Sequence, residues 1–277
     1  TFPRCTKCDT IFRTCNPKIK IEKCLENIRQ QYKDILSENL TGIYLHGSLA
    51  FHCFQWESSD IDFIVVVKQE PTLVEKIRII DFLLEMELVP SKGIEMSIVE
   101  EKYCKDFAHP TPYVLHYSEF YRQEATENPE EYCRRMNGRD PDLAGHFTVI
   151  KKTGITLYGL LKEDVFGDVP YSCYLDSIWR DIRDSLERIE KNPVYYVLNL
   201  ARGLAAASQG EILSKEQGGT WGIRHLPVGY RPLIETALKA YKGSEEVFDK
   251  EKLSEYADYV LKRYQRYSSR WILDREN

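Results

Sequence analysis

The stretch SSDIDFIVVV ends in FIVVV, residues 63–67, an unbroken apolar run in which four of five residues are β-branched. Such a run is a strand buried on both faces, so it fixes a sheet inside the core. Yet Asp60 and Asp62 stand at its mouth. Residues two apart on a strand share a face, so the two carboxylates point the same way. Charge at that depth is costly unless a cation compensates it. Paired hard carboxylates suit a divalent ion such as Mg²⁺, which takes one or two of them together with phosphate oxygens.

The surrounding periodicities supply the rest of a sheet. Ile21, Leu25, Ile28, Tyr32, Ile35 and Leu36 follow helical spacing and predict an amphipathic helix over 20–37. GIYLH reads as a strand ahead of the acidic one. Leu73, Ile77, Ile80 and Leu84 mark a helix behind Pro71, and GIEMSIV, 93–99, is a third strand. Residues 105–142, with their HPTP and NGRDPD turn signals, read as connections covering a site. LAGHFTVIKK predicts a helix and GITLYG another strand. Beyond about residue 168 only helical patterns remain: YLDSIWRDIRDSLERIEK, then NPVYYVLNLARGLAAASQG, then a long helix through Leu253, Tyr256, Val260 and Tyr264. In the second of these, Asn192 can cap, Pro193 suits the first turn, and Gly210 can end the helix. The pattern is an α/β domain followed by a helical one, divided as 1–168 and 169–277.

Composition narrows the function classes. A formal charge of −5 lacks the basic footprint of a nucleic-acid binder. No apolar stretch is long enough to span a membrane, and TFPRCTKCDTIFRTC lacks a signal-peptide centre, so a cytoplasmic protein is expected. Cys5 and Cys8 form a C-x-x-C, with Cys15 and Cys24 following. A structural zinc is one use for them. However, the second pair is widely spaced and Cys24 lies in a helical pattern, so reduced thiols on a flexible extension, 1–18, are expected instead. His46 and His52 read as packing or surface residues rather than metal ligands.

Gly47 and Ser48 follow the GIYLH strand, with eleven residues between Ser48 and Asp60. If a helix starts there, its free N–H groups and the Ser48 hydroxyl can seat a phosphate. Glu95 alternates with Ile94 and Met96, so it faces away from the core residues of its strand. An adjacent strand would bring it beside Asp60 and Asp62, as a third metal ligand or as a general base. Tyr195, Asn199 and Arg202 share a helix face separate from the apolar stripe of Val194, Val197, Leu198, Ala201 and Ala205, which lets Arg202 reach a cleft.

GSLAFHCFQWESSDID resembles the nucleotidyltransferase signature of the DNA polymerase β superfamily. The later segments, including PVYYVLNLARGLAAASQGEILSKEQGGTWGIRHLP, narrow the resemblance to the aminoglycoside (3'')(9) adenylyltransferases, from about residue 28 to the C-terminus. The resemblance implies an α+β fold: a nucleotidyltransferase domain with a small mixed sheet flanked by helices, and a C-terminal helical bundle. It implies ATP as co-substrate and Mg²⁺ on Asp60 and Asp62, with Glu95 at the metal or as catalytic base. Gly47 and Ser48 would hold phosphate, and Arg202 and Lys215, thirteen apart, would grip the triphosphate. The activity implied is transfer of AMP to a hydroxyl of an aminoglycoside or aminocyclitol by a monomer acting on a small molecule, without nucleic acid or membrane.

Streptomycin-active members have a drug-wall Trp where this chain has Phe120, and acidic drug contacts that fall near Arg188 and Asn192. Spectinomycin is therefore the favoured acceptor, with Phe120, Asp181 and Asn192 as candidate substrate residues and Asp184 a further acid nearby. The alternatives keep the chemistry on another acceptor, a lincosamide or a protein, or make the chain a non-catalytic nucleotide-binding interaction protein. The intact acidic triplet argues against the last.

Overall fold

A computed structural model describes residues 16–273. Cys5, Cys8 and Cys15, and with them the zinc alternative and nearly all of the 1–18 extension, lie outside the described residues. The first helix, α1 (Pro17–Leu36), starts earlier than the periodicity predicts. Asn16 accepts a hydrogen bond from the Lys18 N–H at 3.0 Å, and Pro17 occupies the first turn. Cys24 lies on its buried face, where burial pushes the thiol up to about 12. It packs as a small apolar residue.

The main sheet runs in the order Leu115–Tyr117 (β5), Ile94–Glu100 (β3), Ile61–Val67 (β2), Leu40–Leu45 (β1) and Ile155–Gly159 (β7). β1 (Leu40–Leu45) pairs antiparallel with both β2 (Ile61–Val67) and β7 (Ile155–Gly159). β2 is parallel to β3 (Ile94–Glu100). The crossover between them is α3 (Leu73–Glu85), opened by a Thr72–Glu75 capping box. The sheet is therefore mixed and the fold α+β. The acidic strand is buried on both sides, as its composition requires. Ile61, Phe63 and Val65 pack with Ile28, Tyr32 and Ile80 under α1 and α3. Ile64 and Val66 pack with Phe147 and Ile150 of α4 (Leu143–Thr153) on the opposite face. Each such side chain contributes roughly 1.5–3 kcal/mol on burial. Asp62 follows the parity of Ile64 and Val66, so it emerges on the α4 side, just past the last apolar pair.

Residues 105–142 hold more than connections. They include β4 (Thr111–Tyr113), β5 (Leu115–Tyr117) and β6 (Gly138–Asp140), with short helices between. β5 completes the sheet edge against β3, while β4 and β6 form a separate ribbon. Three-residue strands are too short to show alternation, and prolines at 110 and 112 mask the little there is.

A second apolar core begins at Tyr171. It is built by α5 (Tyr171–Ile182), α6 (Pro193–Gln209), α7 (Lys215–His225), α8 (Arg231–Tyr241) and α9 (Lys250–Leu273). The single helix expected over 174–191 breaks at Arg183–Asp184. There the Asp184 carboxylate accepts from the Tyr196 hydroxyl at 3.0 Å and pairs with Arg188 at 3.0 Å. Gly210 takes the left-handed conformation that ends α6, at φ 73°. Asn192 sits at the cap position of α6 without a side-chain cap hydrogen bond, so its expected capping role is not seen.

Helices α7 and α8 are absent from the sequence reading; in α7, KEQGGTWGIRH carries three glycines, a poor helix composition. The helix instead forms because those glycines let it lie against its neighbours. A Cβ on Gly218 would sit 2.7 Å from the Arg202 Cβ and 2.9 Å from its Cα. We expect Gly218→Ala to push α7 off α6, costing about 1–3 kcal/mol by overpacking. Thermal melting and ATP titration should both register it, and an unchanged ATP affinity would show that the close approach is not needed for binding.

Candidate active site

A cleft of about 420 Å³ opens between the end of the sheet and the helical core, within the range of small-molecule sites. Its sheet side begins where β1 ends. Gly47 adopts φ 56°, and a Cβ there would overlap the Asp62 carboxylate, so only glycine fits the turn. The short helix α2 (Gly47–Ala50) follows, and the His46 N–H ties the turn to the Asp62 carbonyl at 3.0 Å. The Ser48 hydroxyl is buried, lines the cleft and has no hydrogen-bond partner among the described residues.

Strand register places the acids. Asp62 and Glu95 are direct partners across the parallel β2–β3 ladder. Asp60, one step outside β2, completes a cluster in which one carboxylate oxygen of each residue lies within 4.8 Å of the others. This set of hard oxygens fits a divalent cation. Burial, reinforced by Asp60 and Glu95, holds the Asp62 carboxyl well above the ordinary carboxylate range. Ile94, Met96 and Ile98 face the core, and Ser97, on the Glu95 side of the strand, meets His116 Nδ1 at 2.9 Å.

The helical side brings two cations. Arg202 projects from α6 into the cleft, and its guanidinium is 3.7 Å from the Asp181 carboxylate. Lys215 is the first residue of α7, set by the Ser214–Gln217 capping box, and its ammonium lies 5.3 Å from the centre of the Tyr195 ring. Burial and the neighbouring Arg202 lower its proton affinity, while Asp60 and Asp62 across the cleft oppose that shift. Tyr195, Asn199 and Arg202, placed on one helix face by periodicity, all line the cleft.

Of the expected substrate residues, only Asp181 is there. Phe120 is 87 % exposed in a 3₁₀ turn after β5. Its neighbour Tyr121 takes the inward position instead. Asn192 is exposed at the start of α6, ten residues or about 15 Å of helix from Arg202. Both positions are corrected: neither residue lines the cleft. Asp184, bonded to Tyr196 and Arg188, is also outside it.

The sequence reading missed a wall of residues on α4 and α5. Asp142 precedes α4, and His146 lies one turn later, its ring 4.5 Å from that of His46. Burial, then the nearby His146, keeps the His46 imidazole well below its ordinary value and so uncharged. His46 packs as expected, but it also lines the cleft. Nothing in DPDLAGH distinguishes Asp142 from an ordinary acid at a helix start.

Residues 164–263 match the family model described as aminoglycoside adenylyltransferase, C-terminal domain. A Staphylococcus aureus spectinomycin 9-adenylyltransferase is 28% identical over 220 residues, covering 76% of this chain and 81% of the relative. An Escherichia coli aminoglycoside (3'')(9) adenylyltransferase is 26% identical over 240 residues, covering 82% and 86% respectively. The crystal structure of the spectinomycin adenyltransferase AAD(9) from Enterococcus faecialis, with ATP and spectinomycin, superposes with a TM-score of 0.72 at 21% identity. That match covers 90% of this chain and all of the other, and it shows a shared fold.

Proposed function

We propose that this chain, a relative of the aminoglycoside (3'')(9) adenylyltransferases, moves AMP from ATP to a hydroxyl of an aminoglycoside or aminocyclitol. The observation that carries the reading is the opposition of three clustered carboxylates and two cations across one cleft. In this reading Arg202 and Lys215 grip the triphosphate, with Ser48 beside it at the Gly47 turn. Glu95 accepts the proton of the acceptor hydroxyl, whose oxygen then attacks the α-phosphorus as pyrophosphate leaves. Asp60 and Asp62 would hold Mg²⁺, which when bound offsets negative charge on the phosphates. The chain's own contribution is positioning and charge neutralisation.

Spectinomycin is the favoured acceptor over streptomycin. Relatives named for it are among the matches. The reading makes the protein a monomeric cytoplasmic enzyme with a nucleotidyltransferase domain, 1–168, and a clamping helical domain, 169–277. No described helix is long and apolar enough to cross a membrane. Incubation with ATP, Mg²⁺ and a panel of antibiotics, followed by mass spectrometry, tests the reading. An adduct heavier by one AMP unit is expected on spectinomycin, and no adduct on any panel member would sink it.

Nucleotide binding should need both halves of the cleft. A fragment ending near residue 165 keeps Ser48 and the acids but loses Arg202 and Lys215. Calorimetry should find its ATP affinity reduced by at least about 100-fold, the scale of losing two buried charge partners. Undiminished affinity would refute the clamp.

A further inference from the structure

We infer that Asp142, Asp181 and Asn199 form the acceptor-recognition wall of the cleft, and that they take a protonated amine flanked by a hydroxyl or ether oxygen. The inference rests on the transferase reading and deepens it. The three residues come from different places, the start of α4, α5 and α6, and all line the same cleft. Asn199 is only 1 % exposed, yet neither its Oδ1 nor its Nδ2 has a hydrogen-bond partner among the described residues. Asp142 Oδ1 and His146 Nδ1 are buried and unpartnered as well. Buried polar atoms are normally satisfied, so four of them facing one cleft mark a wall built for a polar ligand.

Charge decides what kind. Burial, with Asp181 and Asp140, raises the Asp142 carboxyl to about 6 against the opposing pull of His146 and Arg180, and its Oδ1 has no hydrogen-bond partner among the described residues. Asp181 has Arg202 at 3.7 Å, but Arg202 is also the residue placed to hold phosphate. A guanidinium drawn to the triphosphate leaves Asp181 to a cation supplied by the acceptor. Asp184 cannot serve, since Tyr196 and Arg188 already occupy it. Asn199 offers a donor and an acceptor side by side, which suits an oxygen next to the amine. Tyr174 and Tyr195 also line the cleft. An anionic acceptor meets repulsion here, and a neutral cyclitol leaves the carboxylates unmatched.

The test is calorimetry on the full chain with Mg²⁺ and a non-hydrolysable ATP analogue, titrating spectinomycin, streptomycin and the uncharged N-acetylated spectinomycin. Wild type should bind at least one of the two cationic drugs, and at least about tenfold more tightly than the uncharged compound. Asp181→Asn and Asp142→Asn should each erase that preference, and Asn199→Leu should weaken cationic and uncharged compounds alike. Affinity for the ATP analogue should hold, or rise in Asp181→Asn as Arg202 is released. No binding of either cationic drug, retained preference in both aspartate variants, or parallel loss of nucleotide affinity would each overturn the inference. Mass spectrometry of the same samples with ATP separates the two readings. Selective binding without AMP transfer sinks the transferase reading and leaves this wall standing, whereas transfer with wild-type KM in all three variants sinks the wall alone.

Discussion

Asp62→Asn abolishes turnover, and the metal-free variant melts no lower than wild type. The two halves of this expectation come from one environment. Asp62 is buried and faces Asp60 and Glu95, all of which disfavour its charge. Its folded value is therefore raised above the ordinary 3.8. Between those two values the folded state holds a proton that the unfolded state has released, so wild-type stability falls as pH rises through that window. Asparagine cannot ionise and escapes the loss. The melting advantage of the variant should thus vanish below about pH 3.8 and grow toward neutrality. Turnover should fall at least ~100-fold, the scale for losing one electrostatic stabiliser of the transition state. Melting curves across pH and a single-turnover assay on the same protein check both parts. A variant that unfolds or melts lower at neutral pH would make the carboxylate structural.

Glu95→Gln separates base from ligand. Glutamine keeps the size and one carbonyl oxygen but cannot take a proton. If Glu95 is the base, ATP and Mg²⁺ bind as before, and the chemical step slows by roughly two to four powers of ten. A third metal ligand would behave differently, because its loss weakens Mg²⁺-dependent ATP binding in parallel with the rate. The register partner of Asp62 is well placed for either task. We expect affinity to hold and the rate to fall. Normal turnover would remove Glu95 from both roles.

The sheet and its acids were legible because they are written in backbone periodicity. Once FIVVV is a buried strand and GIEMSIV its neighbour, the alternation of Ile94, Glu95 and Met96 orients Glu95, and parallel pairing does the rest. Helical spacing likewise put Arg202 on a face apart from the apolar stripe, while its phosphate role came from the resemblance. Of the opposite wall, Asp181 and Asn199 were singled out but Asp142 was not, and neither was their meeting. Asp142, Asp181 and Asn199 meet only through packing of three helices, and no spacing in the chain encodes that meeting. Phe120 and Asn192 failed because they were carried over by residue count, which cannot tell an outward position in a turn from an inward one. Glycines hid α7, where close packing outweighs intrinsic propensity.

That packing has a mechanical consequence. Gly218 rests against the backbone of Arg202, Gly219 against Leu198 and Gly222 against Ala201, so α6 and α7 touch along a seam with little side-chain padding. A padded interface can slide, whereas a bare one is locked by steric contact. Arg202 and Lys215 therefore travel as one rigid jaw. In the proposed reaction, any widening of the cleft would withdraw both charges together.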